Sequence, residues 1–272
     1  MSSESMRDHY DQGVEEGRLK AGMGALERLR TMDILSRTLP KAPAAILDIG
    51  GGPGVYAGLL AQQGYNVDLI DFMPLHVDQA NEIFARLGLT ALARAEQGDA
   101  RDLKRPDASA DAVLLMGPLY HLTNKADRAK ALREAWRVVK PGGVLAAAAV
   151  SRFASLLDGY SSGFIDDPIF QEVVLADLMT GQHRNPNNTP GYFTTAYLHH
   201  PDELRTELSE AGFAEVRVLS VEGPHWLIPP VGKHLDDPAR RDRLLTLLRA
   251  VETEPTLMGA SAHLMGVAVK AK

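Results

Sequence analysis

The chain contains no cysteine, which excludes disulfides and thiol chemistry and is compatible with a reducing cytosol. It also lacks any apolar run approaching the length needed to span a bilayer. The opening stretch, Met1 to Asp11, is polar and has no apolar signal core. No basic block stands out, and the formal net charge is −6; tight binding to a long polyanion would need many lysine or arginine contacts. Internal repeats, low-complexity tracts, metal-ligand spacing and a serine–histidine–aspartate elbow are all missing. These absences point to a cytoplasmic protein, with no membrane or nucleic-acid partner, acting as a monomer or homodimer.

What remains is ordinary globular composition, 45% hydrophobic, at a length that suits one domain with additions. The most informative stretch is Asp48-Ile49-Gly50-Gly51-Gly52-Pro53-Gly54. The apolar run Ala44–Leu47 precedes it and a helical pattern, Val55 to Gln63, follows, so it reads as strand, glycine loop and helix. Such a loop lets backbone approach a ligand closely and turns a helix N-terminus toward it. A second acid, Asp71, ends the next apolar run about 20 residues on, where a ribose-binding carboxylate belongs. A dinucleotide loop would place its third glycine at the position Val55 holds.

The spacing Gly50, Gly52, Gly54 after an acid resembles the first motif of class I S-adenosylmethionine-dependent methyltransferases. Further segments carry the same resemblance in order. Gln97-Gly98-Asp99-Ala100 closes a third strand-like run, and Asp111 to Met116 reads as a fourth strand. Ala126 to Val139 is an amphipathic helix, and Lys140-Pro141-Gly142-Gly143 leads into the apolar strand Val144 to Val150. The resemblance covers residues 44–150. It implies an α/β, Rossmann-like, seven-stranded mixed sheet whose last strand is antiparallel, with helices on both faces, an N-terminal helical cap over 1–43 and an inserted lid. The strands fall near 44–49, 66–71, 91–98, 111–116, 144–150, 215–221 and 263–269. Helices fall near 54–64, 74–87, 126–139 and 201–212.

The methyltransferase domain then runs over 44–272, with insertions at 151–200 and 223–258. The first insertion carries many of the aromatics and sits where a parallel sheet binds its ligands. As a lid it offers His183, Arg184, Tyr192 and Tyr197 to a substrate, although aromatics there can simply pack it. The second insertion offers His225. In the cap, an apolar face from Val14 to Leu39 packs on the core, and the resemblance makes Tyr10 a candidate cofactor contact and Arg18 a candidate substrate contact, the alternative being a helix-packing aromatic and a solvated charge.

The resemblance assigns S-adenosyl-L-methionine as cofactor, with no metal, and distributes the contacts. Gly50, Gly52 and Gly54 approach its methionine part. Asp48 faces the ammonium or only orients the loop. Asp71 accepts from the ribose hydroxyls or caps the next helix. Asp99 accepts from the adenine amino group, or merely ends a strand, and Ala100 offers its backbone N–H. Phe72 and Met116 complete the cofactor contacts. After the fourth strand, Gly117-Pro118-Leu119-Tyr120-His121-Leu122 lies beside the transferable methyl. His121 is a candidate general base or a structural histidine, and Tyr120 can line the methyl pocket. The expected function is methyl transfer to a small-molecule acceptor, on oxygen or nitrogen, by in-line displacement. A quinone-type C-methyltransferase, a non-catalytic S-adenosyl-binding module and an NAD-dependent oxidoreductase are the alternatives.

Overall fold

Strand β1 (Ala45–Ile49) is an almost unbroken apolar run because both of its faces are covered, as parallel strands require. In the computed structural model, which describes residues 15–185, 187, 189, 191–227 and 231–272, β1 pairs in parallel with β2 (Asn66–Asp71) and β4 (Ala110–Leu115). The parallel pairing continues outward to β3 (Ala93–Gln97) and β5 (Val139–Ser151). Beyond β5 comes β9 (His263–Val269) and then β8 (Ala214–Ser220). The bonds Gly142 N to Lys270 O and Ser151 N to Ala262 O run in opposite chain directions, which makes β9 antiparallel to β5. The order β3-β2-β1-β4-β5-β9-β8 is the expected seven-stranded mixed sheet. A short ribbon, β6 (Gln182–His183) with β7 (Ala196–His199), is added where β7 pairs with the end of β5.

Helices connect the strands. They are α1 (Gly22–Thr38), α2 (Val55–Gln62), α3 (Pro74–Arg86), α4 (Lys125–Val138), α5 (Ala154–Ser162), α6 (Pro168–Thr180), α7 (Pro201–Glu210) and α8 (Pro238–Val251). Their start signals are local. Pro74, Pro168, Pro201 and Pro238 open their helices, where a missing N–H costs nothing. Asn124 caps α4 by accepting from the Ala126 amide at 2.8 Å.

The described chain divides into two compact units. One contains residues 35–148, 205–217 and 266–272, and the other the remainder. In the first, Lys140-Pro141-Gly142-Gly143 does not stand as a free turn. β5 already starts at Val139, and Gly142, at φ +79°, makes an irregularity that bonds to Lys270. A Cβ at Gly143 would lie 2.7 Å from the Asp111 carbonyl, so the second glycine is a close-approach position.

In the second unit, Leu26 of α1 packs on Val231, Leu244 and Leu248, while Leu247 is exposed. The helix also buries Arg30 completely. Its guanidinium bonds Asp33 at 2.5 Å, Glu252 at 2.6 Å and the Val221 carbonyl at 2.9 Å. Residues 151–200 hold their own core of Phe170, Val174 and Tyr192, flanked by Phe164. No described helix is long and apolar enough to cross a membrane.

Candidate active site

Four strand ends build the site, all in the unit containing β1–β4. After β1 the chain turns sharply, with Gly50, Gly52 and Gly54 at φ +70°, +56° and +82°. At Gly54 a Cβ would meet Phe84 at 2.9 Å and Ala80 at 3.0 Å, so this glycine both supplies the left-handed turn and lets α2 pack on α3. Gly51 is a glycine for a different reason: its Cβ would stand 2.5 Å from an Asp48 carboxylate oxygen. Nothing lies within 4 Å of the Cβ direction at Gly52, so the loop leaves open space there. After β4, Pro118 approaches to 2.5 Å of the position a Gly50 Cβ would take.

From β2, Asp71 grips both neighbours. Its carboxylate accepts from the Gly52 amide at 2.9 Å and the Met73 amide at 2.9 Å, and lies 3.1 Å from His76 Nδ1. It therefore holds the turn that leads into α3 and ties the glycine loop down. Phe72 is half-buried, and its carbonyl accepts from Gln97 Nε2 at 3.2 Å. Met116 is buried, and its carbonyl accepts the Tyr120 hydroxyl at 2.9 Å. Tyr120 thus uses its OH to hold backbone. His121 is half-buried beside it, with ring centroids 4.6 Å apart.

Asp48 differs from every other acid in the site. It is completely buried, and neither oxygen meets a hydrogen-bond donor among the described residues. Burial, helped by the nearby Asp71 charge, pushes its carboxyl up to about 7. A buried carboxylate without donors is costly unless a ligand brings them. An ammonium group is one that does so. The loop therefore fits the methionine part of an S-adenosyl cofactor.

Asp99 is the reverse case. Arg101 engages it through Nε at 3.0 Å and Nη2 at 2.7 Å, and its backbone amide adds a bond at 2.9 Å. The Arg101 side-chain hydrogen bond holds the Asp99 carboxyl below its usual range. Ala100 is half-buried in the same turn. Sequence reasoning passed over both Arg101 and His76. Pro74 opening a helix two residues before a histidine was the available signal for His76.

Several expected substrate contacts are corrected by their surroundings. His183 is buried, with Nδ1 2.8 Å from Asp177 and Nε2 3.2 Å from the Phe193 carbonyl, so it locks the insertion together. Tyr192 is buried between Phe164 and Phe170 and donates its hydroxyl to Asp167 at 2.6 Å. Tyr197 packs edge-on to His199 at 4.7 Å and lies under the Arg152 guanidinium at 5.7 Å. His225 is buried against Trp226, with centroids 4.1 Å apart, and burial lowers its pKa. Arg18 is paired bidentately with Glu27. Arg184 alone of this group is exposed, bonded to the His183 carbonyl at 2.8 Å. Tyr10 lies outside the described residues.

His263 contacts Glu222 at 2.6 Å. Burial works against its charge, but Glu27 and Glu222 outweigh it and hold His263 up at about 9. Glu27, Glu222 and His263 present ligand atoms within 4.8 Å of one another. A cation there would have to displace both the imidazolium proton and the Arg18 pairing to Glu27.

A family model described as a methyltransferase domain matches residues 46–143. The demethylmenaquinone methyltransferase of Deinococcus radiodurans is 36% identical over 113 residues, covering 40% of this chain and 44% of that protein. The ubiquinone/menaquinone biosynthesis C-methyltransferase of Proteus mirabilis is 28% identical over 189 residues, covering 65% of this chain and 69% of that protein. Among solved structures, a chain of the Haloferax volcanii complex between the Trm112 methyltransferase activator and a methyltransferase aligns with a TM-score of 0.61 at 20% identity, over 98% of this chain and 97% of that one; at that identity the likeness shows the fold. The glycine loop, the two carboxylates and the sheet order accompany these matches, and residues 46–143 are similar to a methyltransferase domain.

Proposed function

We propose that this protein transfers a methyl group to a small-molecule acceptor that must lose a proton, attacking through oxygen or nitrogen. The observation that carries this reading is Tyr120-His121 after β4, on the segment whose Pro118 packs against the glycine loop. The cofactor, when bound, supplies a methyl already activated by a positive sulfur. Asp48 and the open glycine loop would hold its methionine part, Asp71 its ribose, and Asp99 with Ala100 its base. The remaining task is orientation and exclusion of water. Orientation alone is worth about 7–11 kcal/mol in well-arranged intramolecular models. Tyr120, pinned through its hydroxyl, presents a fixed ring face that favours a cation. His121 takes the proton from the acceptor as it attacks.

A second reading comes from the relatives, two of which are named for quinone biosynthesis. A hydroxyarene that loses its proton is nucleophilic at ring carbon as well as at oxygen, so the same base serves C-methylation. Incubation with methyl-labelled cofactor and a panel of phenols, naphthols, amines and carboxylates tests both readings. Label on oxygen or nitrogen supports the first and label on ring carbon the second. No labelled product across the panel, with cofactor bound, would count against both.

Two substitutions probe the assignments. Asp71→Ala is expected to weaken cofactor binding by about 1.5–3 kcal/mol, the loss of charged hydrogen bonds; calorimetry giving unchanged affinity in folded protein would remove the ribose role. His121→Ala is expected to lower turnover by about 10²–10⁴-fold while cofactor affinity stays normal. Full turnover would leave His121 as a structural residue.

A further inference from the structure

We propose that Glu27, Glu222 and His263 form a binding site for a divalent first-row transition ion, sharing no residue with the contacts assigned to the cofactor. Glu27 lies in α1, Glu222 just beyond the end of β8, and His263 opens β9. All three belong to the unit that does not carry the glycine loop. Sequence spacing does not reveal the site, because its ligands come from distant segments. His263 Nδ1 stands 2.6 Å from Glu222 Oε1 and 3.9 Å from Glu27 Oε2, and one ligand atom from each residue falls within 4.8 Å of the others. Bonds of about 2.1 Å to zinc at tetrahedral angles set ligand atoms about 3.4 Å apart. The two separations from Nδ1 straddle that spacing, so small side-chain rotations complete the shell.

The surroundings hold the ligands ready. Glu222 is buried, and its Oε2 accepts the His263 backbone amide at 3.0 Å and the Ser261 hydroxyl at 3.0 Å, so Oε1 is the oxygen left to face the imidazole. Outer hydrogen bonds of this kind orient ligating carboxylates. Two carboxylates around one imidazole nitrogen repel each other, and a cation between them removes that repulsion. Arg18, bonded to Glu27, supplies part of the positive charge. Its side chain is 35% exposed, so it can turn away to solvent at little cost. One imidazole nitrogen and two carboxylates suit zinc or manganese better than magnesium, which is held through oxygen and keeps several waters. Three protein ligands leave a coordination position open, as in sites that hold a water or a substrate oxygen.

The test is calorimetric titration of Zn²⁺ into tag-free, chelator-washed protein at about pH 8, since a metal-bound histidine must give up its proton. One equivalent is expected to bind. Glu27→Gln and His263→Ala should each weaken binding by more than the roughly 10–100-fold that loss of a ligand's hydrogen-bond partner costs. Arg18→Ala should tighten it by up to about fivefold, the worth of a partly exposed ion pair; a purely structural cluster would show no such gain. Urea midpoints check that each variant is folded, and if His263→Ala does not fold, the isosteric Glu27→Gln decides. No binding, or binding left unchanged by Glu27→Gln and His263→Ala and therefore an adventitious surface ion only, would overturn the proposal. An Arg18→Ala affinity equal to that of wild type would overturn the part played by Glu27.

Discussion

Ligand-free protein is expected to lose about 2–3 kcal/mol of stability between pH 5 and pH 8 relative to its Asp48→Asn variant. The sign follows from which state holds the proton. In the unfolded chain Asp48 ionises at about 4, whereas in the folded chain burial and the Asp71 charge keep its proton up to about 7. Between those values the folded state binds more protons, so stability falls as pH rises and levels off above 7. Asparagine carries no charge to bury and is flat in this respect. Urea unfolding of both proteins at the two pH values measures the difference; parallel pH profiles would show that Asp48 is not buried without donors.

Cofactor binding should run the opposite way. An ammonium needs the ionised carboxylate, so affinity for S-adenosylmethionine should climb by up to about tenfold per unit as pH rises toward 7. The Asp48→Asn variant should bind weakly and without that slope. A variant that is more stable at pH 8 and poorer at binding would identify Asp48 as a functional group retained at a cost to the fold.

The second large effect is on Glu207. Arg128 of α4 is 2% exposed at its side chain, and Glu207 engages it bidentately, with Nη2 to Oε1 at 2.7 Å and Nε to Oε2 at 3.0 Å. Glu207→Ala leaves a guanidinium buried without its countercharge and is expected to cost about 3–5 kcal/mol. Replacing both partners by Met and Leu should recover most of it, because the penalty lies in the stranded charge rather than in the lost pair. Arg128 also donates to the Leu122 and Thr123 carbonyls at 3.1 and 3.2 Å, directly after His121. The single variant should therefore reduce turnover beyond what unfolding explains. A denaturant midpoint within about 1 kcal/mol of wild type would place this pair among ordinary surface ion pairs.

Much of the core was readable in advance because its signals are local. Parallel strands buried on both faces announce themselves as apolar runs, and the glycines between β1 and α2 are demanded by backbone angles and contacts within a few residues. The last strand was read at His263–Val269 and stands there. The surroundings of His183 and Tyr192 were not legible for the opposite reason. They lie in or near a polar, proline-containing run, and Asp177 and the Phe193 carbonyl bond one while Phe164 and Phe170 pack on the other. The leucine stripe of α1 gave no hint that Arg30 lies inside it, since its partners Val221 and Glu252 are 191 and 222 positions away.

By itself, then, the amino-acid order determined the strand–loop–helix unit, the two acids that close β1 and β2, and the likeness to a methyltransferase domain over residues 46–143. Those features depend on period, spacing and steric demands within short stretches of backbone. Tertiary structure decided which charges are stranded and which are held: Asp48 without a donor among the described residues, Asp99 bonded to an Arg101 that Asp127 also holds, Arg128 enclosed with Glu207. The free energy of a charge is set by its solvation and its partners, and in this fold many of those partners come from distant segments that only the assembled fold brings within reach.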